Sequence, residues 1–201
     1  GGCIKCAGQP VKSVTAESGR SLKKLVNVGR MRLAVAAWLL LAACAVQAAS
    51  SVHGKVVGVA DGDTVTVLSA KNKRYKIRLQ GVDAPELRQA FGRQSKKSLS
   101  DLVFGQPVRV QLQGKDRYGR WLGKVLVAEP GCRAAHCPLT LDAGHAQITR
   151  GLAWWYRSYA KEQSVVDAAT YAHAEKQARA YRLGLWQTKK PTPPWVWRRK
   201  H

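Results

Sequence analysis

The sequence predicts an α+β fold. Five short segments rich in β-branched or alternating apolar residues read as strands, and three longer stretches repeat their apolar residues at helical spacing. The helical stretches fall between the third and fourth strands and after the fifth, with Gly- or Pro-bearing turns at the joints.

Val52 to Val59 and Val65 to Leu68 flank the segment D-G-D at Asp61 to Asp63, which makes them a hairpin. A polar turn at Ser69 to Lys73 leads to the third strand, where Tyr75, Ile77 and Leu79 alternate with Lys76, Arg78 and Gln80. That parity turns Arg78 away from the apolar face, so that it can line a groove. Beyond Glu86 the chain turns through Gln89 to Gly92. Phe91, Ser95, Leu99, Leu102 and Val103 then mark a first helix running to about Phe104 and stopped by Gly105 and Pro107. Val108, Val110 and Leu112 form the fourth strand, D-R-Y-G-R the turn, and Trp121 to Val127 the fifth strand. Asp142 caps a short second helix that reaches Arg150 and ends at Gly151. Ala160 to Tyr181 is the third, with Tyr171, Ala174, Ala178 and Tyr181 on one stripe ended by Gly184. Five strands with helices so inserted match a small OB-type barrel, although periodicity alone supports only α+β.

The chain has 201 residues, room for one ordinary domain and an appendage. Residues 1–30 precede the sole methionine and read as neither signal nor domain, the mark of an over-extended translation start. Residues 31–48 read as a signal peptide: Met31 and Arg32, then 13 unbroken apolar residues from Leu33 to Ala45, then small residues to Ala48. A membrane span needs about 20. L-A-A-C at Leu41 to Cys44 also resembles a lipobox, and membrane contact is expected only if Cys44 is lipidated. The mature domain is then residues 49–187, followed by a Pro-, Trp- and Arg-rich tail, residues 188–201, that either stacks on bases or anchors on the barrel.

Net charge is +22, and the excess belongs to the mature part, where residues 49–201 hold 27 basic against 11 acidic residues. Such a surface attracts polyanions, with nucleic acid and anionic membrane as the two classes. Cys132 and Cys137 in G-C-R-A-A-H-C-P are a candidate local disulfide in an exported chain, worth about 2 kcal/mol for so short a loop. Zinc held by Cys132, His136 and Cys137 is the alternative, short of a fourth ligand.

Chemistry concentrates in Arg78 to Glu86, R-L-Q-G-V-D-A-P-E, where a guanidinium, Asp83 and Glu86 share one strand end and a turn stiffened by Pro85. Both carboxylates are expected beside that one cation. Asp61 and Asp63 in D-G-D-T add a second acidic pair, and carboxylate oxygens without nearby His or Cys suit calcium or magnesium. The planar fork of Arg78 matches a phosphate. D-R-Y-G-R, Asp116 to Arg120, brings another arginine and an aromatic. Each turn alone is also an ordinary structural turn.

Together, D-G-D-T, R-L-x-G-V-D-A-P-E and D-R-Y-G-R resemble the thermonuclease family, the calcium-dependent nucleases typified by staphylococcal nuclease, from about Val52 to about Arg199. The resemblance implies a five-stranded OB-fold β-barrel with three α-helices. It implies Ca2+ on Asp63, Asp83 and the Ala84 carbonyl, with Asp61 orienting metal-bound water. Glu86 becomes the general base, Arg78 and Arg120 the phosphate clamp, and Tyr118 a hydrogen-bond donor or stacking residue for the nucleotide. A further base-stacking tyrosine falls on Tyr156, with Tyr159 left open by the alignment; Trp154 and Trp155 read as core. Alanine at position 84 replaces the family's frequent threonine, Gly144 and His145 replace an asparagine and an acidic residue, and the Leu87 to Gln94 segment is short. The expected activity is an exported endonuclease acting on DNA and RNA and leaving 3′-phosphates, as a monomer with no obligate protein partner. The competing class is a non-catalytic OB-fold protein that binds single strands, which has no need of Glu86, Asp63, Asp83 and both arginines together.

Overall fold

The computed structural model describes residues 50–134 and 136–201. Ala49–His201 make one compact unit. The expected leader and signal peptide, residues 1–48 with Cys44, lie outside the described residues.

β1 (Ser51–Val59) and β2 (Thr64–Ser69) pair antiparallel across the D-G-D turn, with a bulge between Val56 and Gly58. β3 (Arg74–Leu79) adds to β2, and β4 (Val82–Asp83) follows directly. β5 (Pro107–Lys115) pairs with β1, and β6 (Trp121–Ala128) pairs with β5. A parallel pairing of β3 with β6, from Ile77↔Trp121 to Leu79↔Gly123, closes the ring. Closure satisfies the backbone groups that an open edge would expose. The α+β barrel of five strands expected from the sequence is therefore present.

Alternation places Val56, Val65, Val67, Ile77, Val110 and Val125 inside the barrel, all fully buried or nearly so. Each such side chain contributes about 1.5 to 3 kcal/mol. α1 (Gly92–Val103) covers one end with Leu99 and Val103. β7 (Leu139–Asp142) extends the sheet at β6 and runs into α2 (Ala143–Thr149). Asp142 is the cap the sequence predicts, its carboxylate accepting from the Gly144 and His145 N–H groups. β8 (Trp154–Trp155) pairs with β4, so Asp83 stands opposite Trp154. β4, β7 and β8 are too short for their alternation to be legible.

The third helix departs from expectation. A 3-10 turn, Arg157–Glu162, precedes α3 (Val165–Ala180), which is capped by Ser164, whose hydroxyl accepts from the Asp167 N–H. Tyr171, Ala174 and Ala178 face inward as the stripe requires, but Tyr181 is 72 % exposed because it lies past the last helical turn. The chain leaves the helix at Arg182, in left-handed conformation, and not at Gly184. The Tyr171 hydroxyl donates to Asp142 at 2.8 Å and ties α3 to the α2 cap; burial, then Asp142, push its own pKa well up.

Cys132 and Cys137 are joined by a disulfide, which takes both sulfurs from the zinc alternative. The tail packs on the domain. It carries α4 (Pro194–Trp197), and Trp195 lies 6.3 Å from Trp154 and 5.4 Å from Tyr156, ring centre to ring centre. No helix among the described residues is long and apolar enough to cross a membrane.

Candidate active site

The β2–β3 register decides what Arg78 touches. It sets Arg78 opposite Thr64, hence beside Asp63, while β4 starts close enough to bring back Asp83. Arg78 Nη1 donates to Asp63 Oδ2 at 2.8 Å, and Nη2 donates to Asp83 Oδ1 at 2.9 Å and to the Val82 carbonyl at 3.2 Å. Two carboxylates thus converge on one cation, but they are Asp63 and Asp83. The expected Asp83–Arg78–Glu86 grouping is corrected: Glu86 lies past the Pro85 turn and meets Arg198 of the tail. Asp63 is further held by the Thr64 hydroxyl at 2.8 Å and the Ala84 N–H at 3.0 Å.

The D-G-D turn is pressed against α1. A Cβ on Gly62 would run into the Ser95 hydroxyl, so glycine is required by close approach. Gln147 of α2, fully buried, donates from Nε2 to the Gly62 carbonyl at 3.0 Å and to the Ser95 carbonyl at 2.9 Å. It positions the acidic turn. A glutamine within a short amphipathic helix carries no sequence signal for that role.

Burial governs the electrostatics. It pushes Asp61 up to about 6, helped by the neighbouring charge of Asp63. Burial also raises Asp83, against the pull of Arg198 and Arg78. Arg78 is partly desolvated, yet Asp63 and Asp83 outweigh that and hold its proton more tightly than usual.

The second turn stands across the cleft. Asp116 accepts from the Tyr118 and Arg120 N–H groups at 2.9 and 3.0 Å and from Arg120 Nε at 2.7 Å. Burial works against the Asp116 charge, but Arg120 prevails and lowers its pKa. Tyr118 is 74 % exposed at the rim, with the Arg120 guanidinium 5.4 Å from its ring centre.

Asp61, Asp63, Arg78, Glu86, Tyr118 and Arg120 border one cleft of about 510 Å³. Asp83 is buried beneath its floor. Tyr156 and Tyr159 both line the cleft, 5.0 Å apart, so the open choice between them stays a choice between two residues of one wall. Arg198 is a lining residue that the sequence reading missed: nothing in W-V-W-R-R-K marks one arginine as a carboxylate partner.

The donor set suits a hard cation. The acidic side chains offer only oxygen, no His or Cys lines the cleft, and Asp63 and Asp83 already share one positive group. Among the described residues no three acidic, His or Cys side chains close into a full cage, so water would complete any coordination sphere.

Comparison with known proteins agrees with this geometry. The family model described as staphylococcal nuclease homologue matches residues 76–188. The chain is 40 % identical over 177 residues to a micrococcal nuclease of Shigella flexneri, covering 84 % of this chain and 92 % of that protein. It is 39 % identical to an uncharacterized endonuclease of Haemophilus influenzae, over 73 % of this chain and 72 % of the relative. Protein ParB of Escherichia coli is 36 % identical, over 84 % and 91 %. The barrel, the three motifs meeting in one cleft and these matches carry one conclusion: the chain belongs to the staphylococcal nuclease homologue family.

Proposed function

We propose that the cleft is the active site of an exported, calcium-dependent endonuclease that hydrolyses both DNA and RNA and leaves 3′-phosphates. Family membership makes the chain an endonuclease, a phosphodiester hydrolase. The observation that best supports the finer reading is the convergence of Asp63 and Asp83 on Arg78 at the base of a cleft walled by Glu86 and Arg120.

Asp63, Asp83 and the Ala84 carbonyl would hold calcium, with Asp61 behind them. When bound, calcium supplies charge neutralisation at the phosphate. Glu86 takes the proton of the attacking water, a role worth roughly 10² to 10⁴ in rate. Arg78 and Arg120 grip the phosphate oxygens from two sides and strengthen as negative charge develops there. Tyr118 hydrogen-bonds or stacks on the nucleotide from the rim, and Tyr156 stacks on a base. The basic surface draws the polyanion in and makes binding salt-sensitive.

The test incubates the full chain with plasmid DNA and with single-stranded RNA, in calcium or in chelator, beside Glu86→Gln. Cleavage of both substrates in calcium only, reduced about 10²-fold or more by the substitution, is the expected result. Cleavage in chelator, or an unimpaired variant, refutes the mechanism. Salt-sensitive binding without cleavage favours the single-strand binding module. End-group analysis of the products checks the 3′-phosphates.

A further inference from the structure

Arg198 arrives at the cleft from the far end of the chain on an element that is held in place. Gln89 links the tail to the Glu86 turn: its Oε1 accepts from the Glu86 N–H at 3.2 Å and its Nε2 donates to the Thr192 carbonyl. Pro193 and Pro194 stiffen the next step, and Trp195 docks on Trp154 and Tyr156. The guanidinium of Arg198 then grips Asp83 with both ends, Nη1 to Oδ1 at 3.1 Å and Nη2 to Oδ2 at 2.8 Å, while Nη1 also donates to Glu86 Oε1 at 2.8 Å. With Arg78 on Oδ1 as well, both oxygens of Asp83 face positive charge.

We propose that Arg198 is a further active-site residue of the nuclease, which sets the calcium threshold by competing with the cation for Asp83 and Glu86. The inference rests on the calcium reading above. A cation reaching Asp83 meets oxygens already engaged by this bidentate pair and is repelled by its charge, and a water approaching Glu86 finds Oε1 held by the same guanidinium. Two features make Arg198 the partner that yields. Its side chain is 42 % exposed, against 13 % for Arg78, so water can solvate it once released. It also stands one residue past α4, so its side chain can swing away while Trp195 stays docked. Binding of calcium and seating of Arg198 are thus linked reciprocally, and each weakens the other by the same factor.

The experiment is calorimetric titration of calcium into the full chain and into three variants: Arg198→Gln, Arg198→Lys, and a truncation after Trp197 that retains Trp195. Arg198→Gln and the truncation are expected to tighten calcium binding on the order of 10-fold, with Arg198→Lys between them and the parent. A purely structural role for Arg198 predicts equal or weaker binding, and that result overturns the proposal. Calcium binding by none of the four proteins overturns the metal reading itself, and this proposal with it. Circular dichroism of each variant separates loss of affinity from loss of fold.

Discussion

Two arginines meet at Asp83, and they come from opposite kinds of structure. Arg78 sits within β3, where the register with β2 gives it no freedom of place, and it lies between two buried aspartates. Arg198 stands one residue past a four-residue helix in a tail docked through tryptophan and glutamine, and it reaches the same carboxylate from the solvent side. The first belongs to the frame of the site. The second is a lid on its charge. Similar hydrogen-bond lengths therefore do not mean equal energies, because the cost of leaving a charge unpaired depends on how far it is from water.

The widest separation between the two should appear in Arg78→Ala. Removing that guanidinium leaves buried Asp63 without its cation and Asp83 with Arg198 alone, and a loss of about 3 to 5 kcal/mol in urea unfolding is expected. A loss under about 1 kcal/mol would show that the β3 arginine is no more structural than the tail arginine. Arg198→Gln is the counterpart. It should change stability by no more than about 1 kcal/mol, since the pair is partly exposed and Arg78 still balances Asp83. A larger loss would make the tail part of the frame.

A separate expected effect is on pH dependence without calcium. Burial and Asp63 raise Asp61 from 3.8 to about 6, so the folded state holds the Asp61 proton more tightly than the unfolded chain does. The stabilisation that follows is complete below about 3.8 and lost as pH rises through about 6. Asp61→Asn removes this dependence. In chelator, the parent should lose stability relative to the variant, up to about 3 kcal/mol, as pH rises through about 6. Parallel curves for parent and variant would remove Asp61 from the buried acidic cluster.

Strand alternation made the α+β class legible, the family resemblance pointed to the barrel, and the turn chemistry of D-G-D-T, V-D-A-P-E and D-R-Y-G-R made most of the cleft legible. Those signals are local: a period of two sets which face a side chain takes, and glycine or proline sets where the chain turns. Even so, Arg78 was matched to the wrong second carboxylate, because its partner Asp63 depends on the pairing of β2 with β3. The start of α3 was missed because a Ser164 cap competes with a preceding turn that is also helical in character.

By itself, then, the sequence determined the α+β class, the acidic and basic residues of the site, and the turns that carry them, since each is written within a few neighbouring positions. Only the tertiary structure decided that Gln147 holds the acidic turn and that Arg198 closes on Asp83 and Glu86. Those contacts span 85, 112 and 115 positions of chain. They exist because packing brings α2 and the tail to the mouth of the barrel, and no local periodicity records that approach.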